Sequence, residues 1–293
     1  MKYPEIDLRG AVVLITGAGR GIGRATAHAM AARGALIAVA DLDRGAADEV
    51  AAEIGSAARA YTLDVRTRAS WDACVAGVIA DLGPIDILVG NAGVMPVAAF
   101  LDEPDEIGET TLDVNVWGLI HGMRTVAPAM VARGRGHIVN VASLAGKIAI
   151  PGLAVYNASK FAAVGLSSTA RLEFAEAGVS VSTVLPSAVR TTLTSGLPLG
   201  KGLPTVDPED IAAAVVRTVS TRRAQTPVPG YLAALDVGLA LAPEALITLV
   251  RRVIGGNRAV TSVDPAGRAD YDERVKSISR TSPPARAEAD RSS

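Results

Sequence analysis

Tyr156 and Lys160 stand four residues apart in the stretch AVYNASKFAAVGLSSTARLEFAEAG, residues 154–178. In a helix that interval places both side chains on one face, one turn apart. A phenol alone has a pKa near 10 and is a poor acid–base group at neutral pH. An ammonium about 4 Å away would favour the phenolate by roughly 4 kcal/mol at an effective dielectric of 20, or about 3 pKa units. The pair thus suggests a tyrosine that exchanges a proton near pH 7, where a general acid or base works best. A surface tyrosine beside a solvated lysine has the same spacing, so the pair reads as a site only through its company.

That company begins with the elements that would have to hold it. Residues 11–16, AVVLIT, form a short unbroken apolar run, which predicts a strand buried on both faces. The run leads directly into a turn with Gly17, Arg20, Gly21, Ile22 and Gly23, then into an alanine-rich helix ending at Gly34. Strand, glycine turn and helix in succession make a mononucleotide-binding arrangement. The glycines let backbone approach a pyrophosphate, and amides at the helix N-terminus favour its charge. The spacing is GxxxGxG rather than GxGxxG. Residues 35–40, ALIAVA, predict the second strand, which ends in Asp41. An acid there can hydrogen-bond the adenosine ribose and repel a 2′-phosphate. Its other possible role, capping the next helix, falls better to Asp43. Arg20 is a counter-signal, because an arginine in the turn could meet a 2′-phosphate.

The alternation continues through a strand at residues 58–65, a helix carrying Trp71, and a strand at residues 85–89. Asn91, Ala92 and Gly93 follow, small enough to let a ligand come close. A long helix over residues 105–133 holds Asn115 in its interior. A strand at residues 137–141, Ser143, the Tyr156 helix and a strand at residues 179–185 complete the pattern. Repeated strand–helix alternation predicts an α/β fold, a Rossmann-like doubly wound parallel sheet with helices on both faces. Gly17, Asp41, Asn91, Ser143 and Pro186 all fall just after strands, on the one edge where such sheets bind ligands.

Composition narrows the class. With 293 residues and 49% hydrophobic content, the chain can bury a sizeable core. A formal charge of −1 gives no basic surface for nucleic acid. The single Cys74 and three separated histidines exclude an internal disulfide and argue against a metal site. The N-terminus shows acids and no apolar stretch of a secretory signal, so a cytoplasmic protein is expected.

TGAGRGIG at residues 16–23, NAG at Asn91–Gly93, Asn115 mid-helix, Ser143 and YNASK from Tyr156 to Lys160 resemble the short-chain dehydrogenase/reductase family. The order and intervals match from about residue 8 to about residue 222. The resemblance implies an NAD(P)(H)-dependent oxidoreductase acting between an alcohol and a carbonyl. It implies that Tyr156 is the acid–base, that Lys160 lowers its pKa and holds the nicotinamide ribose, and that Ser143 bonds the substrate oxygen. It further implies that Asn115 supports a water-linked proton path to Lys160. Asp64 and Val65 resemble the family's adenine contacts, and Val189 and Thr191 its nicotinamide contacts. Three departures are GNAG in place of the family's NNAG, Pro186-Ser187 in place of Pro-Gly, and PVPGYLAALDVGLALAPEALITLVRRVIGG at residues 227–256 in place of a glycine-and-aspartate-rich last strand, which makes the substrate end atypical. The family's pairing of the Asn115 and Tyr156 helices across a two-fold axis implies a homodimer or homotetramer, with Ala162, Ala163, Ser167 and Ala170 as small outer residues.

NAD is the expected cofactor, with NADP possible, and leucines in the loop at residues 191–206 together with Met95 and Val97 suggest an apolar substrate. An NADPH-dependent carbonyl reductase, or a silent nucleotide-binding regulator, are the alternatives. Residues 1–230 are expected to form the dinucleotide-binding and catalytic domain, and residues 231–256 an apolar helical extension. In that extension the acids Asp236 and Glu244 make a membrane span unfavourable, though surface association stays open. Residues 257–293, polar and rich in Ser, Arg, Asp and Pro, are expected to be weakly ordered.

Overall fold

The computed structural model describes residues 3–197, 204–233 and 263–281. Strand β1 (Val12–Thr16) leads through the glycine turn into α1 (Gly21–Ala31), then β2 (Leu36–Asp41), α2 (Arg44–Ile54), β3 (Ala58–Thr62), α3 (Arg68–Leu82) and β4 (Ile85–Gly90). The second half runs α4 (Asp105–Leu112), α5 (Gly118–Ala132), β5 (Gly136–Val141), α6 (Ala154–Phe174) and β6 (Val179–Pro186). Short β7 (Ala188–Val189) and β8 (Thr205–Val206), helix α7 (Pro208–Thr221), strand β9 (Gln225–Val228) and helix α8 (Pro265–Arg280) follow.

The main sheet has seven strands in the order β3-β2-β1-β4-β5-β6-β9, every pair parallel. Order reverses between β1 and β4, which opens the crevice where doubly wound folds bind ligands. Both faces are covered, as the unbroken apolar strands require. Val13 and Ile15 face one side with Ile37, Val39, Ile211 and Val215, while Val12 and Leu14 face the other with Trp71, Val126 and Met130. Alternation along a strand thus divides one sequence run between two cores.

The helix expected over residues 105–133 is interrupted. Asp113–Trp117 is π-helical, and α4 and α5 flank it. Such single-turn insertions are common at functional sites, and this one carries Asn115. Part of the tail expected to be weakly ordered is helical: α8 begins with an N-cap, Asp264 accepting from Ala266 N–H, followed by Pro265 in the first turn. Its Val275 is 2% exposed and joins the core on the α3–α5 side. Composition hid this helix because its apolar groups are few but fall on one stripe. Most of the expected apolar extension, from residue 234 onward, lies outside the described residues.

Candidate active site

The glycine turn is shaped by close approach. Gly17 has φ +62°, and a Cβ there would lie 2.9 Å from Ala92 Cα; one at Gly23 would lie 2.2 Å from the Gly17 carbonyl oxygen. Only glycine lets β1, the turn and the Asn91 loop pack this tightly. Asn91 closes the junction: its Nδ2 donates to the carbonyls of Thr16 at 2.9 Å and Gly17 at 3.0 Å, so its side chain braces the turn. Gly21 opens α1, whose first amides carry the positive end of the helix dipole, and Ile22 packs against the core. Beneath the turn Asp41 is 4% exposed. It accepts from the backbone N–H of Gly19 at 2.9 Å and of Asp43 at 3.0 Å. Asp43 takes the cap of α2, as expected, and also pairs with Arg20 at 2.6 Å.

Asp64 and Val65 lie just past β3. The Asp64 carboxylate is engaged by Arg66, whose Nε and Nη2 donate at 2.9 and 2.7 Å, and the Val65 carbonyl accepts from Trp71 Nε1 at 3.1 Å. Pro186, which ends β6, and Val189 are buried, and Thr191 lies against the glycine turn, 3.3 Å from where a Gly21 Cβ would sit. Ser187, where the sequence departs from the family pattern, donates to the Pro204 carbonyl at 2.7 Å and so ties the end of β6 to the residue before β8.

Tyr156 and Lys160, both 6% exposed, sit in the first half of α6. Tyr156 lies within interaction reach of the Ser143 hydroxyl and belongs to an apolar cluster of Met95, Ala145 and Leu153, with Val97, Ile150, Leu193 and Leu197 packed against it. Lys160 Nζ is 5.6 Å from the centre of the Tyr156 ring and donates to the Val141 carbonyl at 3.3 Å. The expectation that the ammonium brings the phenol toward neutrality is corrected here. Burial raises the Tyr156 pKa, and the Ser143 hydroxyl only partly opposes it. Lys160 is itself desolvated, its pKa lowered to about 8. Two buried groups that each resist charging leave a protonated phenol as the stable form.

Asn115 is 1% exposed. Its amide closes a pair with Val94 (N–H to Oδ1 and Nδ2 to carbonyl, each 2.9 Å) and reaches Ser159 Oγ at 3.0 Å. It therefore ties the Gly93 loop to α6. Gly93 lies between Asn115 and Lys160, since a Cβ there would stand 3.2 Å from Asn115 Oδ1 and 3.5 Å from Lys160 Nζ. The fold thus gathers Asn115, Ser143, Tyr156, Lys160 and Gly93 at the carboxyl edge of β4 and β5, and the glycine turn, Asp41 and Val65 at the edge of β1, β2 and β3.

Three contributors went unread in the sequence. Ser159 receives Asn115, Arg66 holds Asp64, and Tyr271 of α8 accepts from Met95 N–H at 2.7 Å. The signal for Tyr271 was its place in a stripe with Arg268, Val275 and Ile278 at helical intervals. Among the described residues no cluster of His, Cys, Asp and Glu could hold a metal, and no helix is long and apolar enough to cross a membrane.

Comparison with known proteins agrees with this geometry. Residues 11–201 match the model of the short chain dehydrogenase family. A sorbitol dehydrogenase of Cereibacter sphaeroides is 43% identical over 62% of this chain and 72% of its own. The 17-beta-hydroxysteroid dehydrogenase 13 of Rattus norvegicus is 33% identical over 84% of each chain. The crystal structure of a 3-ketoacyl-(acyl-carrier-protein) reductase from Brucella melitensis complexed with NADH has a TM-score of 0.68 at 34% identity, over 72% of this chain and 91% of that one. A short chain dehydrogenase/reductase from Burkholderia phymatum in complex with NAD has a TM-score of 0.73 at 27% identity, over 79% and 93%. Sheet order, glycine turn and the Tyr156–Lys160 helix thus meet a family match over most of the fold, and the chain belongs to the short-chain dehydrogenase family of oxidoreductases.

Proposed function

We propose that this chain interconverts an apolar secondary alcohol and its ketone with a nicotinamide cofactor, NAD(H) in preference to NADP(H). The convergence of Ser143, Tyr156 and Lys160 beside Gly93 carries the reading. The crowded glycine turn and the buried Asp41 fit a dinucleotide: Gly17, Gly21, Ile22 and Gly23 would take the pyrophosphate, and Asp41 the adenosine ribose. Asp64 and Val65 would meet the adenine, and Asn91, Ala92, Gly93, Pro186, Val189 and Thr191 would line the nicotinamide end. When bound, that group supplies the hydride acceptor or donor. A carboxylate held in place by two backbone amides stands where a 2′-phosphate would come, which opposes that phosphate. Arg20, paired with Asp43, is not aimed to offset it.

Tyr156 as a protonated phenol gives its proton to a ketone oxygen in reduction; in oxidation it must first lose that proton to solvent, and the phenolate then takes one from the alcohol. Ser143 donates to the same oxygen as negative charge develops on it. Lys160 holds the ribose side, and Asn115 keeps the Gly93 loop at its distance from α6. The apolar cluster around Tyr156 favours a substrate without many hydroxyls. The relative named for a hydroxysteroid matches over 84% of this chain, against 62% for the one named for sorbitol, which supports the same class.

A cytoplasmic homodimer or homotetramer completes the proposal. Of the small residues expected on the outer face of α6, Ala163, Ser167 and Ala170 are buried within the chain, so the pairing surface falls to Ala162, the exposed Phe161 and the exposed Leu172.

The test is Tyr156→Phe. Turnover of lipophilic secondary alcohols should fall by ~10²–10⁴-fold, while NADH affinity, followed by fluorescence transfer to the nicotinamide, stays within about twofold. Wild-type turnover in the phenylalanine variant would sink the assignment.

A further inference from the structure

Helix α8 is anchored at both ends and in the middle on loops that the cofactor is expected to use. At its start Asp264 N–H donates to the Gly196 carbonyl at 2.8 Å. Arg268, 1% exposed, donates to the carbonyls of Leu193 and Ser195, each at 3.2 Å, and to that of Met95. Tyr271 accepts from Met95 N–H at 2.7 Å, two residues past Gly93. Arg274 is partly buried and within electrostatic reach of Asp41, Asp43 and Arg20. At the far end Arg66, next to Val65, donates to the carbonyls of Ile278 at 2.7 Å and Thr281 at 3.1 Å.

The order of these contacts is informative. Along α8 they run from the loop after β7, to the loop after β4, to the loop after β3, with Arg274 within electrostatic reach of the end of β2 between the last two. That sequence follows the strand order across the carboxyl edge of the sheet, through the switch point between β4 and β1. A dinucleotide bound at such an edge runs the same course, nicotinamide toward β4 and adenosine toward β2 and β3. The helix has 16 residues, hence a length of roughly 24 Å, and with side chains it is about 10–12 Å across. A rod of that thickness resting on Met95, near Asp41 and on Arg66 leaves no shared path to Gly93, Asp41 and Val65.

We propose that α8 is a built-in competitor of the dinucleotide, seated along the cofactor cleft and displaced when the cofactor enters. This rests on the cofactor reading given above. Its anchors suit exchange: hydrogen bonds to backbone groups and one stripe, with Arg268 and Val275 buried and Tyr271 and Ile278 half-buried, on an otherwise polar helix.

Hydrogen exchange of the full chain, read by mass spectrometry with and without NADH, tests it. Peptides covering residues 265–280 should exchange several-fold faster with NADH, while the glycine turn and Asp41 exchange more slowly. Slower or unchanged exchange in α8, with the glycine turn protected, overturns the proposal and leaves the cofactor reading intact. Val275→Asp should loosen the helix and tighten NADH binding about 5–10-fold, and the milder Tyr271→Phe should act in the same direction. Weaker binding in both, in variants of native circular dichroism, marks α8 as a cover over the cofactor and overturns the competitor. NADH binding by a variant but not by wild type supports the proposal, whereas binding by none sinks both readings.

Discussion

Tyr156 and Lys160 show how burial rewrites a pairing read from spacing alone. Four residues of separation placed them on one face of α6, as helical geometry demands. The electrostatic consequence differs because both are desolvated, with the ammonium 5.6 Å from the ring centre. Lys160 holds its proton only below about 8. An ammonium offers a charge and three donors to ribose hydroxyls, whereas the amine above that pH offers no charge. NADH affinity should therefore drop as pH rises through about 8, by roughly fivefold, the worth of about 1 kcal/mol between a charged and a neutral hydrogen bond. Lys160→Met should bind weakly and with no inflection there; an unchanged inflection would assign the titration to another group. Asp41 was legible for a different reason: its distance from the glycine turn is fixed by one strand–helix–strand unit, which spacing reports faithfully.

Among the elements, strands were read to within a residue or two at most ends, since an apolar run with both faces buried leaves little choice. The π-helical turn at Asp113–Trp117 was not legible, because periodicity around an apolar helix does not reveal one extra residue per turn. Its effect is to aim Asn115 at Val94 and Ser159. Asn115→Ala removes three hydrogen bonds and leaves buried Val94 groups without partners. The variant should lose about 1–3 kcal/mol in urea unfolding, and turnover should fall with it as the Gly93 loop loosens. A stable variant with low turnover would mean that Asn115 acts on the proton path and not on the loop. Helix α8 was missed on composition: sparse apolar residues look like disorder until their interval is counted.

At the scale of the whole molecule, the sheet is locked by polar groups as well as by its two apolar cores. His137 on β5 is fully buried, with Nδ1 2.8 Å from Ser180 Oγ on β6 and Nε2 3.0 Å from Thr218 Oγ1 on α7. Burial, reinforced by Arg222, holds its pKa well below the usual histidine value. The unfolded chain takes a proton below about pH 6.5 and the native chain does not, so stability falls as pH falls through that value, at up to ~1.4 kcal/mol per unit. Urea midpoints at about pH 7.5 and 5.5 should show the loss, and His137→Asn should reduce it. The seat of α8 has a consequence of another kind. A competitor carried on the same chain is present at a fixed effective concentration that dilution does not change. If α8 is seated about nine-tenths of the time, only about one molecule in ten accepts the dinucleotide, and its apparent dissociation constant rises roughly tenfold. Occupancy would then follow the size of the cellular dinucleotide pool rather than the amount of protein, which makes the chain's tail a threshold on when the reaction can run.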